Sequence, residues 1–211
     1  MNDGLVSNTS LILGVAGASH DPHTVLLTGL AGLCAGACSM AAGEYLSMRS
    51  QRELFEYQIG LEQDELAEYP EAEAEELALI YEARGLTLEA ARGFARQIIA
   101  DPRRALDTLA REELGLNPEE LGSPLGAALF SFAAFGLGAA IPLLPFVLLA
   151  HHRALLVSAG LSGVSLFGVG AALSLFTGRS LLLSGLRMLA IGAAAGLTTW
   201  LIGSWFGVSV A

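Results

Sequence analysis

Charge is distributed very unevenly along this chain of 211 residues. Residues 49–122 carry 18 of the 21 acidic residues and 8 of the 11 arginines, whereas the long stretches on both sides carry almost no charge. Charged side chains are costly in lipid, and about 20 consecutive apolar residues are enough for a helix to cross a bilayer. The flanking stretches therefore belong in a membrane, and the middle segment belongs in water.

Composition supports a membrane protein, since 53% of the residues are hydrophobic, 25 are glycine and the mean hydropathy is +0.56. Frequent glycine is typical of packed membrane helices. The net charge of −10 belongs to residues 49–122, and such a segment repels nucleic acid and attracts cations. The sequence has no zinc pattern, P-loop or Ser/His/Asp arrangement, so we predict no enzyme and no permanently bound cofactor.

We predict an all-α fold with five membrane helices. Its parts are residues 1–48 with two spans, residues 49–122 as an acidic helical metal-binding domain, and residues 123–211 with three spans. The predicted spans are Gly4–Ser19, Thr24–Met48, Leu125–Ala150, Ala154–Phe176 and Ser180–Phe206. Two prolines in the third span predict a bend. Glycines four residues apart suit close helix packing but are weak evidence for a dimer face: Gly32/Gly36, Gly192/Gly196 and Gly203/Gly207.

The acidic segment has proline, glycine and N-cap residues where helices are expected to begin and end, which predicts a folded helical domain. We expect the second span to continue as one helix to Glu68, and Pro70 suits the first turn of the next helix. Gly85 is expected to end that helix, and Thr87 and Asp101 stand where N-caps of the following helices are expected.

Arginine placement near the membrane ends predicts a cytoplasmic acidic domain, a cytoplasmic N-terminus and an external C-terminus. We therefore predict an integral protein of the bacterial inner membrane. The first span, Gly4–Ser19, falls short of the roughly 20 residues that a bilayer core requires. We expect from this that Met1 is not the native start and that a functional chain has a further helical segment upstream.

Two groups of residues in the predicted spans could contact a cation. Asp3, Ser7 and Ser10 share one face of the first span, where a carboxylate either faces protein or a water path or caps the helix. Met40, Glu44 and Met48 share one face of the second span. A thioether with a carboxylate suits a transition metal, although methionine is also common in membrane cores.

A third group lies in the acidic segment, where Glu62 and Glu65 form one i, i+3 pair and Glu73 and Glu76 form another. Each pair faces one way on its helix. With a break at Pro70 between them, two adjacent helices could close four carboxylates around a cation. The alternative is that these residues form only a solvated acidic face.

Five stretches, in order along essentially the whole chain, resemble the vacuolar iron transporter family. They are Asp3–Asn8 (DGLVSN), Ser39–Ser47 (SMAAGEYLS), Arg111–Leu116 (REELGL), Ser123-Pro124 and Ile141–Pro145 (IPLLP). The resemblance implies five-span homodimers that export Fe²⁺, and often Mn²⁺, from the cytosol in exchange for protons. It also implies a pore between the two subunits and a cytosolic helical domain that collects the metal.

The resemblance assigns roles by position. Asp3 matches the pore carboxylate and Met40 the pore methionine. The glutamates of the cytosolic metal site match Glu62, Glu65, Glu73, Glu76 and Glu113. Where the family can place two methionines, this chain has Leu109 and Ala110, which leaves oxygen ligands and predicts weaker discrimination against Mn²⁺. Family members also usually carry a cytosolic segment before the Asp-Gly-Leu motif.

The sequence therefore favours a homodimeric transporter that exports Fe²⁺ or Mn²⁺ from the cytosol by proton antiport. Two alternatives stay open at this point. One is a metal-binding membrane sensor or storage protein that does not translocate the ion. The other is a structural membrane protein whose acidic domain docks a basic partner.

Overall fold

The computed structural model describes residues 1–19, 21–119, 121–149 and 151–210. These residues form helices and turns, and none of them forms a strand, which confirms the predicted all-α class. The helices are α1 (Asn2–Ala18), α2 (Pro22–Glu68), α3 (Pro70–Ala83), α4 (Leu88–Ile99), α5 (Pro102–Glu112), α6 (Pro124–Ala140), α7 (Leu144–Leu148), α8 (His151–Thr177) and α9 (Leu181–Val210).

Four helical segments among the described residues are long and apolar enough to cross a membrane: Pro22–Glu68, Pro124–Leu148, Arg153–Thr177 and Leu181–Gly207. Large apolar side chains on them point outward, and Phe176, for example, is 89% exposed. Such a surface is expected when the surrounding solvent is lipid, so the chain is an integral membrane protein. The predicted first span corresponds to α1, which is shorter, with 17 residues. The count of five spans stays a prediction.

The chain forms two compact units, one of residues 1–44 with 125–211 and one of residues 45–124. In the first unit, α1 packs against α8 and α9. Helices α1 and α9 approach closely because glycines lie between them, and a Cβ atom on Gly203 would lie 1.8 Å from the carbonyl oxygen of Gly14. Gly207 meets Ala18 of the same helix pair. This GxxxG pair therefore serves packing within one chain.

The bend predicted in the third span is an interruption of the helix. A single 3-10 turn, Ile141–Leu143, separates α6 from α7. Pro142 and Pro145 have no N–H, so the carbonyl groups of Gly138 and Ile141 lose their usual donors and the helix is weakened here. Two side chains donate to carbonyl oxygens of this segment, Asn8 Nδ2 to Ala139 at 2.7 Å and Ser158 Oγ to Pro142 at 2.6 Å. These bonds connect α1 and α8 to the interrupted helix.

The second unit contains the α2 extension and helices α3, α4 and α5. Its buried core is formed by Leu77, Ala78, Ala91, Ala95, Ile98 and Leu109, and Leu66 of α2 packs against it. Pro70 opens α3, Gly85 has a φ of +105°, and the Asp101 side chain accepts from the N–H of Arg103 at 3.2 Å, as the sequence indicates. Thr87 is the N-cap residue of α4, as expected, although its side chain makes no capping hydrogen bond.

The close approach of α1 and α9 predicts the effect of one added methyl group. Gly203→Ala places a Cβ against the Gly14 backbone, so the two helices must separate, which is expected to lower stability by about 1–3 kcal/mol. Thermal unfolding of the protein in detergent measures this change. Gly160→Ala on α8 is the matched control, because open space surrounds that position. Equal unfolding temperatures for the two variants would contradict the described packing.

Candidate metal centre

Three glutamates from three helices converge in the second unit. Glu62 lies near the end of α2, Glu73 lies in the first turn of α3, and Glu113 is the C-cap residue of α5. One carboxylate oxygen from each lies within 4.8 Å of the other two. The apolar part of α2 ends near Met48, so Glu62 lies about 21 Å further along the helix, outside the membrane-spanning segment.

The spacing of these oxygens suits a small divalent ion. Oxygen ligands lie about 2.1 Å from an ion such as Mg²⁺ and therefore about 3–4 Å from one another. A separation of up to 4.8 Å is slightly wider, and side-chain rotation alone can close that difference. Three carboxylates leave coordination positions for water or for further glutamates. The set is made of oxygen atoms only, which suits Mn²⁺ and Fe²⁺ better than a soft ion.

Two of the three side chains are buried, and although they share a hydrogen bond, each keeps one carboxylate oxygen without a partner. Glu62 is 3% exposed and Glu73 is 5% exposed. The Oε1 atom of Glu62 and the Oε2 atom of Glu73 are buried and have no hydrogen-bond partner among the described residues. A buried carboxylate oxygen without a partner is costly, and a bound cation would satisfy both atoms.

Arginines of this unit neutralise other acidic residues. The ion pairs of the described chain are Arg49–Glu53, Arg52–Glu56, Arg84–Glu112, Arg92–Glu75 and Arg111–Asp107. None of these pairs includes Glu62, Glu73 or Glu113. The positive charges therefore offset the outer acidic residues and leave the three converging carboxyl groups for another cation.

Burial and mutual repulsion keep these carboxyl groups protonated to a higher pH than usual. Burial, followed by the charges of Glu113 and Glu73, raises the pKa of Glu62 from 4.5 to about 8. Burial is also the largest cause that raises the pKa of Glu73 and the pKa of Glu113. Glu62 therefore holds a proton near neutral pH, and a metal ion would have to displace it.

Glu65 and Glu76, the other two predicted ligands, lie at the exposed side of the same cluster. Their charges contribute to the raised pKa of both Glu73 and Glu113. The structure thus brings all five predicted glutamates into electrostatic contact, with Glu62 and Glu73 buried and Glu113, Glu65 and Glu76 exposed. Leu109 and Ala110, which stand where the family can have methionines, are fully buried.

A separate polar groove lies in the first unit and contains both predicted pore residues. Asp3 and Met40 line a cavity of about 290 Å³ together with Ser7, Asn8 and Ser39, among others. Asn8 donates to a backbone carbonyl through Nδ2, but its Oδ1 atom is buried without a partner among the described residues. The groove therefore offers carboxylate, thioether, amide and hydroxyl groups within a largely apolar unit.

Two residues of the predicted faces lie outside this groove. Ser10 is buried, and its carbonyl accepts a hydrogen bond from Thr199, so the predicted face of Asp3, Ser7 and Ser10 is only partly correct. Glu44 is half-buried and does not line the cavity. Sequence reasoning missed Asn8 and Ser39 as lining residues, although an asparagine within an apolar span was an available signal.

A family model and the most similar known proteins point to the same family. The model of the VIT family matches residues 1–204. A vacuolar iron transporter of Acanthamoeba castellanii is 37% identical over 193 residues, which cover 91% of this chain and 73% of the relative. Vacuolar iron transporter 1 of Arabidopsis thaliana is 34% identical over 196 residues, covering 92% and 78%. Vacuolar iron transporter homolog 1 of Oryza sativa subsp. japonica is 35% identical over 209 residues, covering 98% and 71%.

The relatives are transporters by name, which confirms the prediction that this chain is not an enzyme. They also confirm the resemblance drawn from the five sequence stretches. Because the family model matches nearly the whole chain and these relatives exceed 30% identity along most of it, the chain belongs to the VIT family.

Proposed function

We propose that this protein transports Fe²⁺ or Mn²⁺ across a membrane and exports the ion from the cytosol in exchange for protons. The observation that carries the proposal is the convergence of Glu62, Glu73 and Glu113, without arginine partners, in a chain whose named relatives are iron transporters. Buried carboxyl groups of raised pKa suit an ion that must be captured and released, because protons and metal compete for the same oxygens.

The acidic unit collects the metal in this proposal. Glu62, Glu73 and Glu113 supply the inner ligands, and Glu65 and Glu76 add negative charge and further oxygen atoms at the exposed side. Ligands that are all oxygen distinguish poorly between Fe²⁺ and Mn²⁺. We therefore expect both ions to be substrates, since the two positions that could supply methionine sulfur are Leu109 and Ala110.

The groove of Asp3 and Met40 forms part of the translocation path in this proposal. A carboxylate and hydroxyl groups that faced lipid would be costly, so a polar groove on an apolar unit requires protein or water beside it. A second copy of the chain would provide that cover and would line the path from both sides. The proposal therefore includes a homodimer with five spans per chain, including α1, and a cytoplasmic acidic unit.

A metal-binding sensor or storage protein is the alternative. The carboxylate cluster supports this alternative equally well. The cluster lies within the acidic unit, and metal binding there requires no path across the bilayer. Metal uptake by proteoliposomes, with the internal pH recorded at the same time, distinguishes the two. Transport predicts metal entry coupled to proton movement in the opposite direction, whereas a sensor or storage protein predicts binding without entry.

Removal of the inner ligands should weaken metal binding. Glu62→Gln with Glu73→Gln is expected to lower the Mn²⁺ affinity of the full-length protein by about tenfold or more, since even outer partners of metal ligands contribute about 10–100-fold. Calorimetry of the detergent-solubilised protein measures the change. Glu53→Gln, which removes an exposed acid of α2 paired with Arg49, is the matched control and should bind as wild type does. Undiminished binding by the double variant would contradict the proposed centre.

The raised pKa of Glu62 predicts how stability changes with pH. Between its ordinary value of 4.5 and about 8, the folded metal-free protein holds a proton that the unfolded chain has lost. The free energy of unfolding should therefore fall as the pH rises through this window, and Glu62→Gln should flatten the dependence. Thermal unfolding midpoints from pH 5 to pH 8 measure both trends. A wild-type midpoint that rises steadily over this range, in the absence of metal, would argue against the described burial.

Variants of the groove should separate transport from metal capture. Asp3→Asn and Met40→Leu are each expected to slow metal uptake by proteoliposomes by about tenfold or more, the scale of losing one group at a metal site. Mn²⁺ affinity at the acidic unit should stay unchanged. Asp21→Asn is the control, because this residue lies outside the groove, caps α2, and an asparagine oxygen there can still accept one of the two capping N–H bonds. Uptake at the wild-type rate by either groove variant would exclude that residue from the path.

A further inference from the structure

The turn between α8 and α9 borders a cavity that neither the metal centre nor the groove uses. It has a volume of about 480 Å³ and is lined by Arg179 and Arg187, among other residues. The same two arginines line an adjoining cavity of about 240 Å³ with Ser180 and Ser184. Neither lining includes an acidic residue among those that the structure describes. Two exposed arginines therefore line the same space without an acidic residue beside them.

Arg187 lies at an unusual position for a charged residue. It follows the start of α9 by six residues, about 9 Å along a helix that is apolar enough to cross a membrane. A charge at this depth is costly unless it finds a partner or reaches the membrane surface. The Cα–Cβ bond in a helix tilts toward the N-terminus, which is the end that carries Arg179. This direction explains why both arginines line one cavity.

The rest of the described chain provides no carboxylate for these arginines. All five of its ion pairs join residues between Arg49 and Glu112, and none includes Arg179 or Arg187. Two like charges that line one cavity repel each other. An anion between them would remove the repulsion and form charge-assisted hydrogen bonds with both guanidinium groups.

Further donors surround the same space. The Ser180 carbonyl accepts from the N–H of Ser184 at 3.0 Å, so α9 begins here and its first N–H groups have no partner within the helix. One face of the helix carries three residues spaced at i, i+4 and i+7, which are Ser180, Ser184 and Arg187. A helix N-terminus that is flanked by arginine and serine side chains matches the requirements of a phosphate group.

Apolar side chains beside the donors decide which phosphate compound fits. Leu183, which is 70% exposed, lines the smaller cavity, and Leu173, which is 49% exposed, lines the larger one. A free phosphate ion gains nothing from exposed leucines, whereas a phospholipid combines a phosphate group with acyl chains. We propose that Arg179, Arg187 and the N-terminus of α9 bind the phosphate group of an anionic phospholipid, whose acyl chains lie along these leucines.

The test uses the full-length protein in detergent, titrated with phosphatidylglycerol while its thermal unfolding midpoint is recorded. Arg179→Gln lies in the turn before α9 and leaves the helix intact. It should raise the lipid concentration for half-maximal stabilisation by about fivefold, and addition of Arg187→Gln should raise it further. Arg187→Lys keeps the charge and should retain most of the binding. Arg153→Gln, the same charge change at the start of α8, is the control and should leave the requirement unchanged.

Three results would overturn the proposal. They are an unchanged lipid requirement in Arg179→Gln and in the double variant, an equal effect of Arg153→Gln, and stabilisation by inorganic phosphate that matches that of phosphatidylglycerol. The last result would indicate a site for free anions instead of a lipid site. Native mass spectrometry counts the lipids retained by each folded variant, so a variant of low thermal stability still reports on binding. Because the site is independent of the glutamate cluster, its failure would leave the transport proposal unaffected.

Discussion

A charged side chain at the centre of a bilayer costs about 2.5–3.5 kcal/mol or more, and this cost confines nearly all acidic residues to one segment of the chain. The outer stretches fold as apolar helices, and several of their polar groups find partners within the unit. Thr9 donates to Ser162 at 3.0 Å, and Asn8 donates to the carbonyl of Ala139. The acidic segment folds separately around its own apolar core. Each unit could therefore acquire a different polar site.

The core of the acidic unit holds the carboxyl groups together against their repulsion. Leu77 of α3, Ile98 of α4 and Leu109 of α5 are all but fully buried, and they fix the helices that carry Glu73 and Glu113. Apolar burial of this kind contributes roughly 1.5–3 kcal/mol per large side chain. Arginine pairs outside the cluster reduce the remaining repulsion between acidic residues. In the absence of metal, a proton on Glu62 reduces the negative charge of the cluster, and this makes the centre sensitive to pH.

Helix boundaries were readable from the sequence because their signals are local, as at Pro70 and Asp101. The i, i+3 spacing of the glutamate pairs predicted that each pair shares one face of its helix. It did not predict that Glu62 and Glu73 are buried, because their burial depends on how the helices pack together. Glu113 has no such pair, and only the family resemblance pointed to it. The sequence also did not predict individual side-chain arrangements. Thr87 makes no capping hydrogen bond, and Asn8 lines the groove although residue spacing did not place it on the predicted face.

The central claim is that Glu62, Glu73 and Glu113 form a metal centre, and anomalous scattering tests it most directly. Crystals of the full-length protein, grown with Mn²⁺ above pH 8 so that protons have left the centre, give an anomalous difference map that locates the ion. We expect a strong peak within ligand distance of carboxylate oxygens from all three glutamates. Mn²⁺ peaks at other acidic residues, with none between these three, would contradict it.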